Sequence, residues 1–133
     1  MVASRKYTIE EANALLPWLT TTFAEITGLR KSLEPLQAEV EQLGRRTRTN
    51  GHGDIDAKIK EAGQRMDQGR ERMRDLFTSI VEKDIEIRDV EMGLVDFLGD
   101  HEGREVWLCW RVGEPSVAHW HEVNQGFRDR RPL

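Results

Sequence analysis

The chain has 133 residues, with 20 basic and 24 acidic side chains giving a net charge of −4, and with 38% apolar and 33% charged residues, which suits one domain with a modest core. No run approaches eighteen apolar residues and the stretch from Met1 to Tyr7 lacks a signal-peptide core, so membrane spanning and export are not expected. Cys109 is the only cysteine, which excludes an intrachain disulfide and a zinc site built from cysteines alone, and fits a reducing cytoplasm.

Thr8-Ile9-Glu10-Glu11 reads as a capping box, with the Thr8 hydroxyl accepting the Glu11 N–H and the Glu11 carboxylate accepting the Thr8 N–H, so a helix is predicted from there. Apolar residues then recur at spacings of three and four: Ile9, Ala12, Leu16, Leu19, Phe23, Ile26, Leu29, Leu33, Leu36, Val40 and Leu43. Pro17 and Pro35 each remove a helical hydrogen bond and predict a kink or a short break. Leu43-Gly44 predicts a glycine cap, and residues 44–53 a turn-rich tip.

Asp54 is the expected cap of a second helix, whose seam runs through Ile55, Ile59, Ala62, Met66, Gly69, Met73, Leu76 or Phe77, and Ile80. Folding back near residue 48 would set Gly28 opposite Gly69 and permit a close backbone approach. Two helices alone make a thin core, so a homodimer of hairpins, four helices in all, is expected. Residues 9–43 carry six acids and two bases, whereas the tip carries Arg45, Arg46 and Arg48. That local basic spot is too small for DNA wrapping, and leaves the tip as the one place for nucleic-acid contact.

Past Lys83 the period shifts toward two, through Ile85 and Ile87, residues 94–98 and residues 104–112. Gly99-Asp100-His101-Glu102-Gly103 is a turn cluster, so those two segments should pair as antiparallel strands, with 117–121 returning as a third. The overall expectation is an α+β protein of one domain: a long antiparallel, coiled-coil-like helical hairpin over residues 8–84, then a small antiparallel sheet and tail over 85–133. The tail, from Gly126 to Leu133, reads as a frayed end or as a segment docked across a subunit interface.

Thr8 through Pro17, Gly93-Leu94-Val95-Asp96-Phe97, Gly103 through Glu114, Trp120-His121-Glu122 and the ending from Gly126-Phe127 to Arg131-Pro132-Leu133 resemble, in order and spacing, a prokaryotic family catalogued as domain of unknown function 2203. The resemblance covers essentially the whole chain and implies no activity, substrate or catalytic residue. His119 lies outside the resembling pattern.

Four candidate sites follow from residue chemistry. His119 and His121, two apart on a strand, share a face and could hold zinc or another transition metal with Cys109, Asp96 or Glu122 as further ligands. Cys109, His121 and Asp96 are also the residue types of a metal-free nucleophile, base and orienter. Trp107, Trp110 and Trp120, with Arg104, Arg111 and Glu114 at the rim, could wall a small planar ligand, set against a tryptophan-rich core. Arg45, Arg46 and Arg48 could meet phosphates. The resulting expectation is a cytoplasmic, self-associating binding or interaction module with no declared reaction. A divalent transition-metal-binding protein, possibly hydrolytic and using the His119/His121 face, is the alternative.

Overall fold

The computed structural model describes residues 5–50 and 53–133, with the backbone alone for 47–50. Two long helices, α1 (Ile9–Asn50) and α2 (Gly53–Val81), precede a sheet of five strands: β1 (Ile85–Asp89), β2 (Leu94–His101), β3 (Arg104–Arg111), β4 (His119–His121) and β5 (Arg131–Pro132). The fold is therefore α+β, a helical hairpin followed by an antiparallel sheet. Two compact units are distinguished, one running to Ala24 and resuming at Phe77, the other spanning Glu25–Leu76.

The capping box forms as read: the Thr8 N–H donates to Glu11 Oε1 at 2.9 Å and the Glu11 N–H to Thr8 Oγ1 at 3.0 Å. These bonds hold the Glu11 carboxyl below the usual carboxylate range. Neither proline breaks the helix and Gly44 does not end it, since α1 runs through Pro17 and Pro35 and past Gly44 to Asn50. Pro17 lies on the exposed side, while Leu16, Leu19 and Phe23 beside it are buried. An interior proline costs about 3 kcal/mol, and full burial of each such side chain returns about 1.5–3 kcal/mol, so packing prevails. The tip consequently shrinks from 44–53. Arg45 and Arg46 are exposed on the last turns of α1, and the side chain of Arg48 lies outside the described residues. The second helix starts at Gly53, one residue before the expected cap, with Asp54 and Asp56 in its first turn.

In the unit spanning Glu25–Leu76 the two glycines do not approach each other. Gly28 faces open space, whereas a Cβ on Gly69 would lie 3.1 Å from Leu33 Cδ2. Leu33 therefore packs into the notch left by the missing Gly69 side chain. Glu25 and Arg72, three residues outward from those glycines, form a two-pronged ion pair at 2.6 and 3.1 Å. Along this stretch Ile26, Leu43, Ala62, Met66 and Leu76 are buried, but Leu29, Leu33, Leu36, Val40, Ile55, Ile59 and Met73 are only half-buried. Two helices cover a seam of this width incompletely.

In the other unit the strands follow chain order, each antiparallel to the next. The turn between β2 and β3 is tighter than expected and consists of Glu102 and Gly103, both at positive φ, 52° and 80°. Two-residue hairpins need that backbone twist, and glycine adopts it without strain. β1 joins the sheet beside β2. The third expected strand shortens to His119–His121, because the Val117 N–H donates instead to Asn13 Oδ1 of α1 at 2.7 Å. The tail is not frayed: Arg131–Pro132 pairs with β4 of the same chain, and the Leu133 N–H donates to the Ala118 carbonyl at 2.9 Å.

Period-two alternation sorts the sheet into two faces. Ile85, Phe97, Leu108 and Trp120 follow one another across four strands, flanked by Val95, Val106 and Trp110, and all seven are buried. Tyr7 closes this core, with its ring edge-on to Phe97 at 5.1 Å and its N–H donating to the Leu98 carbonyl at 2.7 Å. The opposite face carries the row Glu86, Asp96, Cys109 and His119, again one residue from each of four strands.

Candidate functional site: a buried Asp–Cys–His cluster

Alternation along β2 and β3 sends Asp96 and Cys109 to the same face as directly opposed cross-strand partners. His121, diagonal to Cys109 on β4, leans across β3 so that its Nε2 lies 2.9 Å from Asp96 Oδ2. All three residues are about 1% exposed, which is unusual for two ionisable side chains on a sheet surface. Their ligating atoms all fall within 4.8 Å of one another.

A second layer fixes these groups. His121 Nδ1 lies 2.9 Å from the Glu122 carbonyl, which can only accept, so Nδ1 carries a proton and Nε2 faces the cluster. Arg88 of β1 donates from Nε to Asp96 Oδ2 at 2.8 Å, and its guanidinium lies 4.9 Å from the Trp107 ring centre. Asp96 Oδ1, by contrast, is buried and bonded to nothing. Burial first, and then the Asp96 carboxylate, push the Cys109 thiol up to about 12.

The segment after β4 forms the edge of the site. Arg130 donates Nη1 to Glu114 Oε1 at 3.0 Å and Nη2 to Oε2 at 2.9 Å, and Nη1 also lies 4.0 Å from Cys109 Sγ. Glu114 closes its own turn by accepting the Arg111 N–H at 2.8 Å. Burial alone would raise the Glu114 carboxyl, but the Arg130 fork and the Arg111 N–H outweigh it and hold the group below the ordinary carboxylate range.

Of the metal candidates read from the sequence, Asp96, Cys109 and His121 converge. His119 is the cross-strand partner of Cys109, but its Nδ1 is buried without a hydrogen bond and lies 3.8 Å from Glu114 Oε2. Glu122 is bonded through its carboxylate to Arg104. The aromatic candidates are split between the faces. Trp110 and Trp120 lie in the apolar core, where Trp110 Nε1 donates to the Glu114 carbonyl at 3.0 Å and the Trp120 ring lies 4.8 Å from that of His101. Trp107 lies on the other side beneath Arg88, and Arg111 is exposed at the end of β3.

A metal-free nucleophilic triad does not fit these contacts. Both imidazole nitrogens of His121 are engaged, by Asp96 and by Glu122, and a thiol raised to about 12 is not a thiolate near neutrality. Sequence reasoning had not identified Arg88 or Arg130 as members of the site. The signal for Arg88 was the alternation of Ile85 and Ile87 with Glu86 and Arg88, which sends Arg88 to the side of whatever faces Glu86. For Arg130 there was no local signal.

No curated protein and no solved structure matches the chain. A family model described as an uncharacterized conserved protein family, DUF2203, matches residues 5–133. The chain therefore belongs to the DUF2203 family.

Proposed function

We propose that this protein binds one divalent transition-metal ion, zinc or a close relative, through Cys109 Sγ, His121 Nε2 and the Asp96 carboxylate. The observation that carries this reading is Asp96 Oδ1, a buried carboxylate oxygen without a hydrogen-bond partner, on a residue whose carboxylate lies within 4.8 Å of a thiol and an imidazole nitrogen. Ligands on a tetrahedral zinc are about 3.3–3.8 Å apart, given bonds of about 2.0–2.3 Å, so a contraction of about an ångström would close the cluster. The proton between His121 Nε2 and Asp96 is the one a cation would replace. The second layer suits the role: the Nδ1 contact to the Glu122 carbonyl and the Arg88 bond to Asp96 are the orienting partners that metal-ligating histidines and carboxylates keep. Three protein ligands leave a fourth position, where a zinc ion supplies an activated water.

Cobalt(II) titration of the untagged protein tests this directly. One equivalent should produce a thiolate-to-cobalt absorption band that Cys109→Ser and His121→Ala remove and His119→Ala preserves, with circular dichroism confirming that each variant is folded. A folded wild-type protein that gives no such band overturns the reading.

A second reading, self-association through the helices, is favoured by the half-buried seam of Leu29, Leu33, Leu36, Val40, Ile55, Ile59 and Met73. Sedimentation across concentration should show a dimer that Leu36→Glu together with Val40→Glu converts to monomer. A wild-type monomer at all concentrations refutes it.

A further inference from the structure

The two edges of the sheet differ. β5 has two residues, and one of them, Pro132, has no N–H to offer a further strand. β1 has five residues and pairs with β2 alone, so a row of its N–H and C=O groups points outward, as on any edge strand. Among the described residues no backbone hydrogen bond reaches β1 from a segment other than β2. A groove of about 250 Å³ borders it, lined by Ile85, Glu86, Ile87, Trp107 and Val81 among others. Val81 is 58% exposed there.

The sequence of this edge, Ile85-Glu86-Ile87-Arg88-Asp89, is complementary to itself. In an antiparallel pair with a two-fold axis at Ile87, Ile87 faces its own copy and Glu86 faces the partner's Arg88, once on each side of the axis. Glu86 is exposed and forms no ion pair among the described residues. Arg88 gives Nε to Asp96 within its own chain, which leaves its Nη groups for a second acceptor. An axis at Glu86 or at Arg88 would instead set like charges face to face, which destabilises a pair. The charges therefore select one register. A bulge at Arg88, where Ile87 pairs with Val95 and Asp89 with Leu94, twists the strand and keeps the regular stretch short.

We infer that β1 is the docking edge for a second copy of this chain. Two β1 strands pair antiparallel about Ile87 and join two five-stranded sheets into one. Since the opposite edge ends in Pro132, the pairing closes at two copies and does not propagate. This joint uses neither the metal cluster's ligands nor the helical seam. A contact of five residues a side is small, so it forms at protein concentrations above those at which the helical association is weighed.

Amide hydrogen exchange, read residue by residue by nuclear magnetic resonance on the whole chain in dilute and concentrated solution, tests it. Concentration should slow exchange in β1 and leave the central strand β3 unchanged. Glu86→Lys, an exposed substitution that places like charges across the joint twice, should raise the concentration required about tenfold. Leu36→Glu together with Val40→Glu, which removes the helical seam, should keep the β1 response. Exchange in β1 that ignores concentration, a response that Glu86→Lys leaves unchanged, or one that disappears with the seam in a folded chain would each overturn the inference. Slowing confined to the helices would uphold the seam and overturn the edge.

Discussion

Each face of the sheet carries buried residues, but for different reasons. On one, Val95, Phe97, Val106, Leu108 and Trp110 are hidden because their apolar surface leaves water at a gain. On the other, Asp96 and His121 are hidden at a cost, met by Arg88, the Glu122 carbonyl and their own mutual contact. Burial of the first kind makes a core. Burial of the second kind, with one carboxylate oxygen still unbonded, places reactive atoms where water does not compete for them.

Substitutions can break or sharpen this contrast. The largest effect should come from the apolar face: Phe97→Ala should cost about 3–5 kcal/mol in urea unfolding, since the ring is fully buried, while the fraction that remains folded still gives the cobalt band. A smaller loss, about 1–3 kcal/mol, is expected for Glu114→Gln, which removes the charge-assisted fork to Arg130. Cys109→Ala should be the mildest for stability, at most about 1 kcal/mol, because the thiol acts there as a small apolar group, yet it should abolish the cobalt thiolate band entirely. If Cys109→Ala proves as damaging as Phe97→Ala, the distinction between the two faces is wrong.

Acid sharpens the same contrast. The Glu114 carboxyl sits below its ordinary value in the folded chain, so its contribution to stability is complete above the unfolded carboxylate pKa and is lost as pH falls through the lowered folded value. Acid below the ordinary carboxylate range should therefore release Arg130 and the β5 pairing before the apolar face melts. Hydrogen exchange at the Leu133 N–H, compared with that at Val95, measures it. Simultaneous loss of both protections would contradict it.

Much of the architecture was legible because each element repeats a local rule. The Thr8–Glu11 box, the three-and-four seams and the alternation in β2 and β3 all specify what the backbone does nearby. The helix continues where a break at the prolines or a stop at Gly44 was expected, since local propensity leaves out the burial of Leu16, Leu19, Phe23 and Leu43 that overrides it. For the site, alternation sufficed to bring Asp96, Cys109 and His121 to one face. It did not separate His119, one strand position from convergence, or reveal the bond between Arg130 and Glu114, which joins the tail to a turn between two strands. Such a contact obeys no period along the chain.

The order in which the parts arrive has its own consequence. Asp96 and Cys109 precede His121, and Arg130 and β5 come later still. During synthesis on the ribosome the helices and the β2–β3 hairpin are thus available well before the strap that borders the thiol. The contacts that border Cys109 are therefore set by a segment that follows every residue of the cluster, since Arg130 meets Glu114 and Cys109 from the stretch that leads into β5.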